Sequence, residues 1–122
     1  MDATSLLRTL CATIDERRWQ DLPALLTEDF VCRYEHTGET LDAQTWVRTN
    51  AEYPEFDRMV VEDLVGHGER AVARCHVTGR AKGEPVAFCV ASFVTVRDGA
   101  ISELTEVWTD IGQTAPEGTR PD

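Results

Sequence analysis

Residues 92–110, "SFVTVRDGAISELTEVWTD", decide the fold class because they describe a β-hairpin. Apolar and polar side chains alternate on both sides of the Asp98-Gly99 pair. An Asp-Gly pair between two alternating runs is the strongest short-range hairpin signal, since a tight turn needs residues that accept positive φ angles. We therefore predict two antiparallel strands here, the second of which covers residues 100–110.

Glu106 occupies an unusual place in that second predicted strand. Because successive side chains of a strand point to opposite faces, Glu106 shares a face with Leu104 and Trp108. A carboxylate between two large apolar side chains is either a functional group in a cavity or a polar group of its wall. The opposite face is predicted to carry Ile101, Glu103, Thr105 and Val107.

The rest of the chain places helices at the front and strands behind. Apolar residues recur at helical spacing in residues 5–18 and 40–53, and Asp21 with Pro23 begins a short helix between them. Alternation predicts strands at 30–36, 58–66, 70–79, 85–97 and 100–110. The predicted fold class is α+β, with about three N-terminal helices packed on one face of a strongly bent antiparallel sheet.

Length and composition indicate one domain and exclude several partners. The 122 residues suit a single domain over residues 1–112, and residues 113–122 form a tail rich in Pro, Gly and charge. The formal net charge is −10 and the basic residues are scattered, which argues against a nucleic acid or an anionic membrane as partner. No apolar run approaches the ~20 residues that span a bilayer.

Cysteines and histidines predict neither disulfides nor a metal site. The four cysteines form no C-x-x-C pair, so we expect free thiols and a cytoplasmic protein. The three histidines are dispersed, without the spacing typical of metal ligands. A small hydrophobic filler is the preferred interpretation of Cys32 and Cys89, because neither lies near an obvious base.

Two stretches resemble a known family: "LLTEDFVCRY", residues 25–34, and "SFVTVRDGAISELTEVW", residues 92–108. With the predicted order of helices and strands, they resemble the nuclear transport factor 2-like superfamily and, more narrowly, its SnoaL-like (polyketide-cyclase-like) branch. The resemblance implies a cone made by the bent sheet and the helices, with a pocket for a small, mostly apolar molecule. It also implies homodimers that pair through the outer sheet face.

The resemblance further implies which side chains face the cone. They are Cys32, Tyr34 and His36 on the first strand and Leu104, Glu106 and Trp108 on the last. At the three catalytic positions of ketosteroid isomerase, the same alignment places Leu10, Tyr34 and Ala91. Since Leu10 and Ala91 carry no acidic or hydroxyl group, we do not expect that enzyme's chemistry here.

Glu106, Tyr34 and His36 are the catalytic candidates. Apolar neighbours should favour the neutral form of Glu106 and raise its pKa, which suits proton transfer. Tyr34 and His36 would then donate hydrogen bonds to a substrate oxygen. The alternatives are a Glu106 that only satisfies Tyr34, His76 or Trp46 in the wall, and a solvated His36 at a strand end.

The remaining pocket candidates depend on which strand and helix faces look inward. The predicted pocket residues are Cys32, Trp46, Tyr53, His76, Leu104 and Trp108. The face of strand 70–79 with Arg74 and His76 is either pocket wall or an outer surface. Trp46 belongs either to an aromatic lining or to the core beneath its helix.

Two functional hypotheses follow. The first is a protein that binds a small, mostly apolar metabolite and acts on it without a cofactor as an isomerase, cyclase or dehydratase by proton transfer. The second is a dimeric ligand-binding or scaffold domain without turnover. An open cavity of several hundred Å³ with an isolated Glu106 would favour the first, and a filled cone with a fully hydrogen-bonded Glu106 would favour the second.

Overall fold

The computed structural model describes all of residues 1–122 and contains two α-helices and a six-stranded sheet. The elements are α1 (Ala3–Asp15), β1 (Leu26–Tyr34), β2 (Glu39–Asp42), α2 (Ala43–Ala51), β3 (Phe56–His67), β4 (Arg70–Ala81), β5 (Glu84–Arg97) and β6 (Ala100–Asp110). The strand order is β2-β1-β6-β5-β4-β3. Residues 113–122 contain no helix or strand.

The sheet is curved and the α+β class is confirmed, with one correction to its pairing. Strands β1 and β6 run parallel, whereas every other neighbouring pair is antiparallel. A parallel pair is possible here because a helix and four strands separate β1 from β6 along the chain, so no tight turn forces them to run in opposite directions. The prediction of a wholly antiparallel sheet was wrong at this pair.

Helix α1 covers the concave face of the sheet. The Asp2 side chain accepts a hydrogen bond from the Ser5 backbone N–H (2.9 Å), which caps the first turn. The apolar stripe of α1 is buried against β3 and β4, and it consists of Ala3, Leu6, Leu7, Leu10, Cys11 and Ile14. The predicted first helix is confirmed, and it closes one side of the cone.

The segment between α1 and β1 contains two 3₁₀ turns, Trp19–Asp21 and Pro23–Leu25, where a short α-helix was predicted. Three residues are too few for an α-helical turn pattern, and Pro23 lacks the N–H that would extend one. The third predicted helix is also shorter than expected. Its first residues form β2, and Asp42 then caps α2 by accepting from the Thr45 N–H (2.8 Å).

The two hairpins of the long strands have the same kind of turn. Lys82 and Gly83 have φ angles of 52° and 81°, and Asp98 and Gly99 have 53° and 78°. Positive φ at both central residues is the type I′ geometry that matches the twist of paired strands. The predicted Asp98-Gly99 hairpin is therefore confirmed.

A β-bulge at Ser102 distinguishes the second hairpin from the first. Val96 pairs with Ile101 but Thr95 pairs with Glu103, so Ser102 is an extra residue in β6. Because one residue is added, both Ile101 and Glu106 point to the concave face although an odd number of positions separates them. The prediction that Ile101 faces outward was wrong for this reason, whereas Glu103 is exposed as predicted.

The concave face and the helices enclose a single core of 21 buried hydrophobic residues. All four cysteines are free, and the Sγ atoms of Cys11 on α1 and Cys75 on β4 lie 3.8 Å apart within this core. No helix combines the length and the apolar character that crossing a bilayer requires. The core leaves one end of the cone unfilled, and that end carries the site described next.

Candidate ligand cavity

An open cavity of about 500 Å³ lies at the end of the cone. Its aromatic lining consists of Trp19, Tyr34, Tyr53, Phe56, Phe88 and Trp108. Its aliphatic floor consists of Ile14, Met59 and Val77. Its polar lining includes His36, Asn50, Glu106, Asp110 and Gln113. A space of this size, mostly apolar with a few convergent polar groups, has the properties of a small-molecule site.

Glu106 is the acid of this cavity, and its position is set by its neighbours on adjacent strands. The row across the sheet runs Tyr34, Glu106, Ser92, Ala73. Glu106 is 5% exposed. The Ser92 hydroxyl donates to its Oε2 at 2.7 Å, and the Trp108 Nε1–H lies 3.5 Å from its Oε1. Burial raises the pKa of Glu106, and the donors Ser92 and Trp108 oppose that rise only in part.

Trp46 lies in the core behind this acid and not in the cavity lining. Its side chain is fully buried, and its ring packs against Phe30 with centroids 5.5 Å apart. Its Nε1–H makes no hydrogen bond of normal geometry. It is nevertheless near enough to Glu106 to act as a weak donor that lowers the pKa of that carboxyl. Of the two interpretations of Trp46, the structure supports core packing.

Tyr34 and His36 stand beside Glu106 and Trp108 at the cavity wall. Their rings pack with centroids 5.6 Å apart. The His36 Nδ1 accepts a hydrogen bond from the Trp108 backbone N–H (3.3 Å), so the imidazole carries its proton on Nε2. Burial raises the pKa of the Tyr34 hydroxyl, and the charge of Glu106 adds to the rise. Both side chains are thus hydrogen-bond donors.

Besides Trp46, three of the predicted pocket residues lie outside the cavity lining. Cys32 and Leu104 are cross-strand partners in the fully buried layer next to the Tyr34–Glu106 row. His76 lies on the outer face of β4, because the apolar alternation of that strand turns Val77 inward. Arg74, on the same outer face, pairs with Glu62 (2.8 Å) and not with Glu106. Tyr53 and Trp108 do line the cavity.

Sequence reasoning missed Ser92. A hairpin without a bulge around Asp98-Gly99 would place Ala91 opposite Glu106, and Ala91 was the residue considered for the oxyanion position. The bulge at Ser102 moves the pairing by one, so Ser92 faces Glu106 and Ala91 faces Val107 on the outer side. No turn residue in the sequence marks this bulge. Trp19, Phe56 and Phe88 were missed because they come from three separate parts of the chain.

Comparison with known proteins agrees with this architecture. The sequence profile of the SnoaL-like domain matches residues 7–104, which is most of the chain. The chain belongs to the SnoaL-like family. No curated protein sequence matches it.

Solved structures of this family's fold are similar over nearly the whole chain. A Kribbella flavida DSM 17836 protein provisionally assigned as a ketosteroid isomerase is 25% identical, with a TM-score of 0.81 over 98% of this chain and 87% of its own. IdmH of Streptomyces antibioticus, provisionally assigned as a polyketide cyclase, is 22% identical, with a TM-score of 0.71 over 85% and 89%. An LEH-like epoxide hydrolase of M. tuberculosis is 12% identical, with a TM-score of 0.74 over 88% of this chain and 82% of its own.

Proposed function

We propose that this SnoaL-like protein binds a small, mostly apolar metabolite in the cavity and moves a proton on it through Glu106, without a cofactor. The observation that carries the proposal is a buried carboxyl in the wall of an open, aromatic-lined space of about 500 Å³. Isomerisation, cyclisation and dehydration all need such a proton transfer next to a carbonyl or hydroxyl group. The reaction class is one of these three.

The contacts of Glu106 give its two oxygens different roles in the proposed mechanism. Ser92 occupies Oε2, so Oε1 is the oxygen available to a ligand beside Trp108. A raised pKa brings the carboxyl closer to neutral pH, where it can both accept and return a proton. The Tyr34 hydroxyl and the His36 Nε2–H then stabilise the negative charge that develops on the substrate oxygen.

The second candidate function is ligand binding without turnover. It is favoured by the strong hydrogen bond between Ser92 and Glu106, which satisfies one oxygen of the acid in the empty cavity. It is also favoured by Leu10 and Ala91 at the positions where ketosteroid isomerase carries catalytic groups, since Leu10 is buried core and Ala91 lies on the outer face. In this case the cavity would sequester its ligand.

Isotope exchange distinguishes the two candidates. NMR in D₂O over cyclic enones and β-diketones should detect deuterium incorporation next to the carbonyl with the wild type, and a loss of about 100-fold or more with Glu106→Gln. Glu103→Gln is the matched control, because it removes an exposed acid from the same strand. Exchange that is unchanged by Glu106→Gln would contradict proton transfer by Glu106, and binding without exchange would support sequestration.

We also propose that the protein is a cytoplasmic homodimer that pairs through the outer sheet face. Large apolar side chains are exposed on that face: Val60 (42%), Val65 (60%), Phe93 (41%) and Val107 (41%). Light scattering during gel filtration should give the mass of two chains, and Phe93→Glu should give one. Ile111→Glu changes an equally exposed residue outside the strands and should leave the dimer intact. A wild-type monomer at all concentrations would contradict the proposal.

A further inference from the structure

The cavity brings together most of the aromatic rings of the chain. The chain contains three Trp, two Tyr and four Phe, and six of these nine rings line the cavity. Phe88 and Trp108 meet edge to face, with centroids 6.2 Å apart. Aromatic faces carry negative electrostatic potential, and several of them around one space form the kind of cage that holds an organic cation.

The charges of the cavity have one sign. Glu106 and Asp110 are acidic, and no lysine or arginine is among the lining residues. The Nδ1 of His36 already accepts a hydrogen bond from the Trp108 backbone N–H. Arg17 lies over the Phe56 ring at 5.0 Å, but its guanidinium donates to the backbone carbonyls of Phe56 and Asp57. The cavity therefore offers aromatic rings and carboxyls to a ligand, and no lysine or arginine side chain.

Strand β6 places these groups in order along its concave face. Glu106, Trp108 and Asp110 are alternate residues, so about 7 Å separates each from the next along the strand. Glu106 is at the buried end and Asp110 at the mouth, with the Trp108 indole between the two carboxyls. A cation on the face of Trp108 would have an acid on each side.

The geometry points to a metabolite with a positively charged nitrogen, a lipophilic tertiary amine or quaternary ammonium compound, held at Trp108 between Glu106 and Asp110. This inference rests on the proposed function of the cavity as a ligand site and names the class of ligand. The net charge of −10 adds a long-range attraction for such a ligand.

Binding of a cation is coupled to the proton on Glu106. Burial raises the pKa of that carboxyl and so disfavours its ionised form, whereas a positive charge beside it favours the ionised form. Binding should therefore release a proton, and the affinity should rise with pH. The other titratable groups around Glu106 are Tyr34 and Cys32 on β1, Cys75 on β4 and Cys11 on α1, with His36 and Asp110 at the mouth.

A pair of probes of equal shape tests the inference by titration calorimetry: 3-hydroxyphenyltrimethylammonium and 3-tert-butylphenol. The cation should bind the wild type at least about tenfold more tightly than the neutral probe. Repeating the titration in two buffers of different ionisation enthalpy should reveal proton release for the cation alone. Glu106→Gln should abolish the proton release, and Asp110→Asn should reduce the preference for the cation several-fold.

The controls separate this inference from the function on which it rests. Glu103→Gln should change neither affinity nor proton release, and circular dichroism verifies that each variant is folded. Equal or tighter binding of the neutral probe would overturn the amine inference and leave the cavity as a site for neutral ligands. Failure of both probes to bind at millimolar concentration would overturn the ligand-binding function and the amine inference with it.

Discussion

The hairpins β4–β5 and β5–β6 share a turn geometry and differ in one residue. Both turn at a pair with positive φ, Lys82-Gly83 in the first and Asp98-Gly99 in the second. The pairing of β4 with β5 is unbroken from end to end, whereas Ser102 interrupts the pairing of β5 with β6. The outer strand of the regular hairpin, β4, has an apolar inner face, and the outer strand of the bulged hairpin, β6, carries the acid of the cavity.

A single extra residue allows β6 to place a polar side chain in the cavity while keeping its apolar side chains in the core. In β4 the inward positions are apolar without exception: Ala71, Ala73, Cys75 and Val77. In β6 the bulge lets Ile101 and Leu104 stay in the core while Glu106 enters the concave face beside Ser92. Without the bulge, an inward Ile101 would require an outward Glu106. Bulges near functional sites commonly redirect a side chain in this way.

Deletion of one residue from each hairpin should give the largest difference between them. Removing Thr78 from the regular strand β4 shifts the pairing of β4 with β5 by one residue on one side of the deletion. The shift turns inward apolar side chains outward, and we expect the chain not to fold. Removing Ser102 deletes only the extra residue, so Glu106 still pairs with Ser92, and we expect a folded protein that is about 1–2 kcal/mol less stable. Amide exchange by NMR measures both outcomes. An unfolded Ser102 deletion would mean that the bulge itself holds the sheet together.

The next largest effect should separate the two faces of β6. Leu104 is fully buried, and Leu104→Ala should lower the free energy of unfolding by about 2–5 kcal/mol because it leaves a cavity in the core. Val107 lies on the outer face, and Val107→Ala should change that free energy by less than about 0.5 kcal/mol in the isolated chain. Urea denaturation of dilute protein gives both values. Equal losses would contradict the assignment of the faces.

The fold was predictable where a local pattern determines the structure. The alternation of β3 to β6 and the Asp98-Gly99 turn depend on neighbours in sequence, and their predicted ranges agree with the structure to within a few residues. The direction of Glu106 was predicted from a family resemblance, while simple alternation from Ile101 gave the wrong face for Ile101 itself. Ile101 and Glu106 face the same side because Ser102 is an extra residue between them. No local propensity distinguishes Ser102 from an ordinary strand residue.

The candidate site was predictable only in part, because its contacts come from distant segments. Tyr34, Glu106 and Trp108 were identified from adjacent positions on two strands. Ser92 depends on the register of a bulged hairpin, and His76 was placed inward although the apolar alternation of β4 had already assigned the inner face to Val77. Packing across the cone decided these positions.

The pH dependence of stability should distinguish Glu106 from Glu103, an exposed acid of the same strand. The pKa of Glu106 in the folded protein is raised above 4.5, the ordinary value of a glutamate, so the folded state binds more protons than the unfolded chain between those two values. The free energy of unfolding should therefore fall as the pH rises from about 4.5 through the folded pKa, by at most about 1.4 kcal/mol per pH unit. Urea titrations between pH 4 and 8 measure the slope.

Variants at the two positions identify the source of that slope. Glu106→Gln should reduce the slope of the free energy of unfolding above pH 4.5, because the amide does not titrate. Glu103→Gln should leave that slope unchanged. A slope that persists in Glu106→Gln would assign the pH dependence to another group.

The smallest predicted effect concerns the turns, which should behave alike. Gly83 and Gly99 have φ angles of 81° and 78°, and a Cβ added at either one would meet no atom within 4 Å. Gly83→Ala and Gly99→Ala should therefore cost only the strain of a left-handed alanine, about 1 kcal/mol each. Thermal or urea denaturation of the two variants provides the measurement. Losses that agree within about 0.5 kcal/mol would place the difference between the hairpins in Ser102 and not in their turns. A clearly larger loss at Gly99 would mean that the turn, together with the bulge, helps to direct Glu106 into the cavity.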